Sequence, residues 1–180
     1  MTLCMAFTDG KTTWIGADTS HGNGRGWKWP LVAQKWRPCG PWMIGLAGSA
    51  DIERAIAVVA QNPAVGDMAV QAICDAINAE YLAHGYKPEH RDNEKPYFGS
   101  SMMFARAGEL WHVSSYLDAR QVGSREWWCI GSADGIGFGV LTALERVGLP
   151  FLTYMEKMEI AVQTAHKYMP IIDGFWADVL

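Results

Sequence analysis

The sequence predicts an α+β fold in which sheets and helices stack in layers. Strand-like runs open the chain, a pair of helical segments follows, and the second half repeats that order. Blocks of strands separated from blocks of helices are typical of α+β domains. A chain of 180 residues can bury most of a continuous core, so we expect a single domain spanning 1–180.

The first elements form a hairpin. Leu3–Phe7 and Thr13–Ala17 are short apolar runs, and Asp9-Gly10 between them is a turn signal. A loop rich in glycine and tryptophan, His21–Pro30, is expected to follow. Nine tryptophans in 180 residues are unusual, and we interpret them as core and interface packing.

A second hairpin and a helix come next. Gln34–Arg37 and Trp42–Leu46 are the predicted strands. Ser49 is a suitable N-cap for a helix over Ala50–Gln61, which Asn62-Pro63 would end. The remaining predicted elements are a helix over Asp67–Ala83, a polar loop over Gly85–Pro96, one strand pair (Ser100–Ala105 with Glu109–Ser114), another (Gln121-Val122 with Trp127–Ile130), helices over Gly135–Val147 and Phe151–Tyr168, and a last strand within Gly174–Leu180.

Composition excludes several classes of function. The net charge is −4 without a basic block, which argues against binding nucleic acid through its phosphates. The four cysteines are scattered without a C-x-x-C pair, so neither a metal cluster nor a disulfide framework is expected. We expect no cofactor and no metal. No basic leader precedes an apolar stretch, and no apolar run reaches about 20 residues, so we expect a cytoplasmic protein.

Thr2 directly follows the initiator methionine. Removal of Met1 would leave a threonine with both a hydroxyl group and a free α-amine. Such an amine titrates near ~7.7–8.0, so at neutral pH it can act as the base for its own hydroxyl.

Three segments in register carry a resemblance to a known family. The first is Thr2–Asp18, a threonine, a hairpin and Gly-x-Asp. The second joins Lys35-Trp-Arg-Pro38 to Gly45–Asp51, and the third is Cys129–Gly135. Together they resemble proteasome-type β subunits and the bacterial heat-shock threonine peptidase, within the N-terminal nucleophile hydrolases. The resemblance implies a four-layer αββα sandwich of that type.

The resemblance also implies a role for each of five residues. Thr2 would supply Oγ as nucleophile and its amine as base. Lys35 would favour the deprotonated hydroxyl, and Asp18 would hold Lys35 as its ion-pair partner. The Gly48 N–H would stabilise the oxyanion, and Ser132 would orient the terminal amine.

A second lysine competes for the role of Lys35. Trp27-Lys28-Trp29-Pro30 is also a lysine followed by a proline. Lys35 is preferred because its separation from Gly48 nearly reproduces that of the family.

The resemblance fails at the acid that the family places in its last helix. Lys167, or one of its neighbours His166 and Tyr168, occupies that position, and the next acid is Asp173. Asp134, which stands where the family has a glycine after Ser132, is a second substitute for the missing carboxylate.

These features predict a threonine-type peptidase subunit that cleaves peptide bonds through Thr2 after removal of Met1. The resemblance implies a homo-oligomeric, self-compartmentalising ring that degrades unfolded polypeptides or peptides, supplied by a separate ATPase unfoldase. Two alternatives remain: a catalytically silent scaffold or assembly subunit, and an amidase acting on a small molecule. A plain binding module would explain none of the motif spacing. Cys4 is not a rival nucleophile, because it lies within the first strand.

Overall fold

Two antiparallel sheets lie face to face between two pairs of helices in the computed structural model, which describes residues 2–22, 28–30, 35–91, 95–170 and 172–180. The helices are α1 (Ala50–Val59), α2 (Val70–Ala83), α3 (Asp134–Val147) and α4 (Tyr154–Tyr168), with a short 3₁₀ helix at Pro63–Asp67. The strands are β1 (Cys4–Thr8), β2 (Thr13–Ala17), β3 (Ser20–Gly22), β4 (Lys28–Pro30), β5 (Trp36–Cys39), β6 (Trp42–Ala47), β7 (Glu89–Arg91), β8 (Lys95–Tyr97), β9 (Ser101–Arg106), β10 (Glu109–Val113), β11 (Ala119–Gln121), β12 (Glu126–Ile130) and β13 (Trp176–Val179).

Each large sheet combines strands that are distant in sequence. In the described part of the chain, one sheet has four strands in the order β12-β1-β2-β13, and the other has five in the order β11-β10-β9-β6-β5. β1 is central in the first sheet, with Cys4 opposite Ala17 of β2 and Ile130 of β12. The N-terminus is therefore fixed on both sides by backbone hydrogen bonds.

β1 is buried on both faces, which explains why its sequence is apolar throughout. Leu3, Met5 and Phe7 pack against α3 and α4. Cys4 and Ala6 point the other way, into the core between the two sheets. Because side chains alternate along a strand, a strand covered on both faces has no polar side.

The helices cover the two outer faces. α1 and α2 pack on the five-stranded sheet, and α3 and α4 on the four-stranded one. Ser49 caps α1, its hydroxyl accepting the Asp51 N–H at 3.2 Å. The layers therefore follow the predicted αββα order. In the described part of the chain, no helix combines the length and apolar character that crossing a bilayer requires.

Two predicted loops contain short strands. The ends of the His21–Pro30 loop pair as β3 and β4, and the Gly85–Pro96 loop contains β7 and β8. Polar and glycine-rich segments carry no alternating pattern, so the sequence alone did not reveal these ladders. Residues 23–27 of the first loop and Gln34, the predicted start of the second hairpin, lie outside the described residues.

One predicted strand pair was wrong, and two helices begin later than predicted. Gln121-Val122 and Trp127–Ile130 do not pair with each other: β11 joins β10 in one sheet, and β12 joins β1 in the other. α2 begins at Val70 rather than at Asp67, because Asn62 caps a separate 3₁₀ turn that ends at Asp67. α4 begins at Tyr154 rather than at Phe151, because Thr153 caps it.

Candidate active site

Asp18 and Lys35 form a buried ion pair at the end of β2. Lys35 Nζ lies 2.6 Å from Asp18 Oδ1, and their side chains are 5% and 0% exposed. Lys35 immediately precedes β5, and its carbonyl accepts the Leu46 N–H at 3.2 Å, so the facing sheet positions the ammonium group. The chain thus places a fixed cation and a fixed carboxylate between its two sheets.

This ion pair is tied directly to the N-terminal segment. The Leu3 N–H donates to Asp18 Oδ1 at 2.7 Å, and the Asp18 N–H donates to the Leu3 carbonyl at 3.1 Å. The second carboxylate oxygen, Oδ2, accepts the Ser20 hydroxyl at 2.6 Å. The Asp18 carboxylate is therefore held by donors on both oxygens, one residue away from Thr2.

The segment that opens α3 holds Thr2 from the other side. The Thr2 N–H donates to Ser132 Oγ at 3.2 Å, and the Ala133 N–H reaches the Thr2 carbonyl at 3.5 Å. Gly131 has a φ of 115°, and a Cβ at this position would collide with the Thr2 carbonyl oxygen. Only glycine allows this close approach of the two backbones. Met1, whose removal the prediction requires, lies outside the described residues.

Gly48 lies at the junction between β6 and α1. Its φ of 142° is in the region that favours glycine, and a Cβ there would collide with Ser100. The next amide, Ser49 N–H, donates to Ser100 Oγ at 2.8 Å. The glycine and the serine together fix the turn into the helix N-terminus, where the helix dipole favours negative charge.

An open cavity of about 330 Å³ connects these features. Thr2, Gly48 and Ser132 all line it. The Lys35–Asp18 pair is linked to this cavity through the N–H of Leu3, the residue next to Thr2. The other lining residues are Ala47, Tyr97, Gly99, Ser101, Ser115, Gly131 and Asp134.

The candidate substitutes for the missing acid have other partners. Asp134 lines the cavity, and its Oδ1 accepts the Gly135 N–H at 2.6 Å. Asp173 Oδ1 accepts the Gly174 N–H at 2.9 Å and lies 3.9 Å from His166 Nδ1. Lys167 borders a second cavity, beside α4. Ser132 thus contacts the Thr2 nitrogen directly, whereas Asp173 is linked to the site through its backbone N–H, which donates to Ser20 Oγ.

The Lys28 alternative is only partly described. Lys28 lies on β4 opposite Gly22, and its side chain lies outside the described part of the structure. Lys35 is the lysine whose contact with Asp18 the structure records.

Cys4 is close to the ion pair but is not poised for reaction. Burial raises the pKa of its thiol to about 12, although the nearby Lys35 acts in the opposite direction. Its Sγ lies 3.8 Å from the Leu46 carbonyl. Since the thiolate is the reactive form, Cys4 acts as a small buried side chain. All four cysteines are free and buried.

Several cavity residues carry no sequence motif. Tyr97, Ser101 and Ser115 line the cavity next to Thr2. The β6–β9 register places Ser101 opposite Ala47, and the Phe98 N–H donates to the Ser115 carbonyl at 2.8 Å. A correct strand register would have found Ser101, whereas Tyr97 and Ser115 depend on how the loops pack.

Solved structures share this fold over nearly the whole chain. BPH from Thiobacillus denitrificans is 18% identical, covers 100% of this chain and 97% of its own, and has a TM-score of 0.79. The same protein in complex with epoxomicin is 18% identical, covers 100% and 98%, and has a TM-score of 0.78. Eukaryotic HslV from Trypanosoma brucei is 16% identical, covers 99% and 99%, and has a TM-score of 0.69.

Sequence comparison adds nothing to these structural likenesses. No protein-family model matches the chain, and no curated protein is significantly similar to it in sequence. The structural likenesses confirm the proteasome-like α+β fold that the sequence predicts.

Proposed function

We propose that this chain, which has the proteasome-like fold, is a threonine-type peptidase subunit that uses Thr2 as its nucleophile after removal of Met1. The observation that carries the proposal is the buried Lys35–Asp18 pair, which is bonded to the residue next to Thr2. A buried ion pair is a weak source of stability. A fixed cation beside a hydroxyl group, in contrast, favours the deprotonated form that attacks a carbonyl.

The reaction would proceed by acyl transfer to Thr2. The Thr2 α-amine accepts the Oγ proton as Oγ attacks the carbonyl carbon of the scissile bond, and the Gly48 N–H stabilises the resulting oxyanion. Collapse of this intermediate expels the leaving amine, which takes the proton from the Thr2 ammonium group. Water, deprotonated by the same amine, then hydrolyses the ester and releases the acid product.

We further propose that the physiological substrates are peptides or unfolded polypeptides. The cavity of about 330 Å³ is partly open to solvent, so an extended chain could enter it. The likeness to BPH and HslV supports a homo-oligomeric ring, in which a separate ATPase would supply unfolded substrate. A small-molecule amidase is the second candidate, because the volume of the cavity is also close to the lower limit for small-molecule pockets, which are about 300–1,000 Å³.

Two measurements test the chemistry. Intact mass and N-terminal sequencing of the native protein are expected to show Thr2 as the first residue. Epoxomicin, which is bound in one of the similar structures, carries an epoxyketone that a hydroxyl and a neighbouring free amine can both attack. It is expected to add covalently to the wild-type chain, and peptide mapping should place the adduct on Thr2.

Matched variants make this test specific. Thr2→Ala should abolish labelling, whereas Thr142→Ala, at a half-buried threonine on α3, should label like the wild type.

Retention of Met1 in the native protein would reject both the peptidase and the amidase and leave the silent scaffold. In solution, a species of about 20 kDa, the mass of one chain, would reject the ring. A labelled monomer that cleaves small amides but not peptides would favour the amidase.

A further inference from the structure

The Ser20 hydroxyl joins two segments that the sequence places far apart. Ser20 Oγ donates to Asp18 Oδ2 at 2.6 Å and accepts the Asp173 N–H at 3.0 Å. Ser20 is only 4% exposed, so these bonds form in a place that water scarcely reaches. No sequence motif singles out this serine.

The contact with Asp18 completes the fixation of the carboxylate. Asp18 Oδ1 already receives the Lys35 ammonium and the Leu3 N–H. A planar carboxylate held through one oxygen can still rotate about its last torsion, whereas donors on both oxygens define its plane. Charge-assisted bonds are also shorter and stronger than neutral ones, and the 2.6 Å between Ser20 Oγ and Asp18 Oδ2 falls within the range of about 2.5–2.7 Å for a hydroxyl group that donates to a carboxylate.

The other partner of Ser20 is itself anchored. The Thr19 N–H donates to the Asp173 carbonyl at 3.0 Å, beside the bond from the Asp173 N–H to Ser20. One residue earlier, the Ile172 carbonyl lies 2.6 Å from His166 Nδ1 on α4. The segment after the last helix therefore donates to the same Ser20 hydroxyl that donates to Asp18.

We propose that Ser20 is a positioning residue of this site: its hydroxyl fixes the plane of the Asp18 carboxylate, and through it the Lys35 ammonium group, against the segment that follows α4. The inference rests on the proposed function, since it assigns Ser20 a part in activating Thr2. It also gives Asp173 a role through its backbone amide, in a chain that lacks an acid at the expected place in the last helix.

The test is the kinetics of epoxomicin labelling, resolved into the rate at saturation (kinact) and the half-saturating concentration (KI). In Ser20→Ala, kinact should fall by about tenfold to a hundredfold, the usual range for a lost bond to a charged group, while KI changes by less than about twofold. Ser20→Thr, which keeps the hydroxyl, should recover kinact to within about threefold of the wild type. Thr13→Val is the matched control, because it removes a buried hydroxyl that donates to the Arg106 carbonyl, away from the site.

The outcomes separate this inference from the proposed function. If the wild type shows no Thr2-dependent labelling, the proposed function fails and the role of Ser20 fails with it. If the wild type labels at Thr2 but Ser20→Ala keeps its kinact, only the role of Ser20 is rejected. The role is equally rejected if Thr13→Val lowers kinact as much as Ser20→Ala, if Ser20→Thr recovers nothing, or if Ser20→Ala does not fold.

Discussion

The two halves of the candidate site differ in how far water reaches them. The inner half, Asp18, Lys35 and Ser20, is enclosed between the sheets, and its groups are fixed by side-chain hydrogen bonds. The outer half consists of Gly48, Gly131 and Ser132, which line the cavity, and backbone conformation fixes their positions. Gly48 and Ser132 are exposed there. Substitutions in the inner half should therefore affect both stability and chemistry, whereas those in the outer half should mainly affect chemistry.

The largest effect is expected for Lys35→Met. This change leaves the buried Asp18 carboxylate without its cation, which typically costs about 3–5 kcal/mol of the free energy of unfolding. The Thr2-dependent labelling rate should fall by about 10²–10⁴-fold, the usual contribution of a positioned proton-transfer system. Urea unfolding and epoxomicin labelling measure the two losses separately.

A double variant separates the role of the charge from that of the fold. Asp18→Asn/Lys35→Met removes both charges but keeps an acceptor for the Leu3 N–H and a donor for Ser20 Oγ, so much of the lost stability should return while labelling stays low. Lys11→Ala, at an exposed lysine in the first turn, should match the wild type in both assays. Normal labelling of Lys35→Met would mean that another lysine, or none, activates Thr2.

In the outer half, Gly131→Ala should have the next largest effect. The added Cβ would collide with the Thr2 carbonyl at a φ of 115°, a strain of about 1–3 kcal/mol. Because a displacement of about 1 Å can cost about 10²-fold in rate, labelling should fall more than stability does. Gly139→Ala in α3 meets nothing within 4 Å and should gain up to about 1 kcal/mol of stability with unchanged labelling. If Gly131→Ala and Gly139→Ala had the same labelling rate and the same stability, the close approach of Gly131 to the Thr2 carbonyl would be contradicted.

Ser132→Ala should slow labelling while leaving stability almost unchanged, as expected for the outer half. It removes the 3.2 Å bond from the Thr2 nitrogen, a neutral contact worth about 0.5–1.5 kcal/mol, so labelling should slow by about twofold to thirteenfold. Since Ser132 is exposed, the free energy of unfolding should barely change. Ser124→Ala, at an exposed serine away from the cavity, is the control. A loss of stability as large as that of Lys35→Met would end the distinction between the two halves.

The sequence predicted local structure better than it predicted the pairing of strands that are far apart in the chain. Ser49 as the cap of α1 and the Asp9-Gly10 hairpin depend on neighbouring residues, and both are confirmed. The pairing of β12 with β1 joins segments more than 100 residues apart, and no local pattern specifies it. For this reason Trp127–Ile130 was assigned to the wrong partner.

The same limit applies to the candidate site. Asp18, Lys35 and Gly48 were found through a resemblance that spans several motifs, and their catalytic roles remain predictions. Ser20 was missed because its contact with Asp173 crosses 153 positions of sequence, and because a serine in a polar segment has no distinctive pattern. Side-chain contacts between distant segments arise from tertiary packing, which periodicity does not encode.

The smallest predicted effect lies outside both halves, at His112 on β10. Burial, with the nearby Arg120 adding to it, lowers the pKa of His112, whose ring lies 4.9 Å from that of Trp128. The unfolded chain then binds the proton more readily than the folded one, so the stabilising contribution is fully present above the ordinary histidine pKa of about 6.5 and is lost as the pH falls through the lowered folded value. His112→Gln should flatten the fall in Tm below that pH, and His84→Gln, at an exposed histidine that ends α2, is the matched control. If both variants kept the full wild-type dependence, the loss of stability in acid would have to come from groups other than His112.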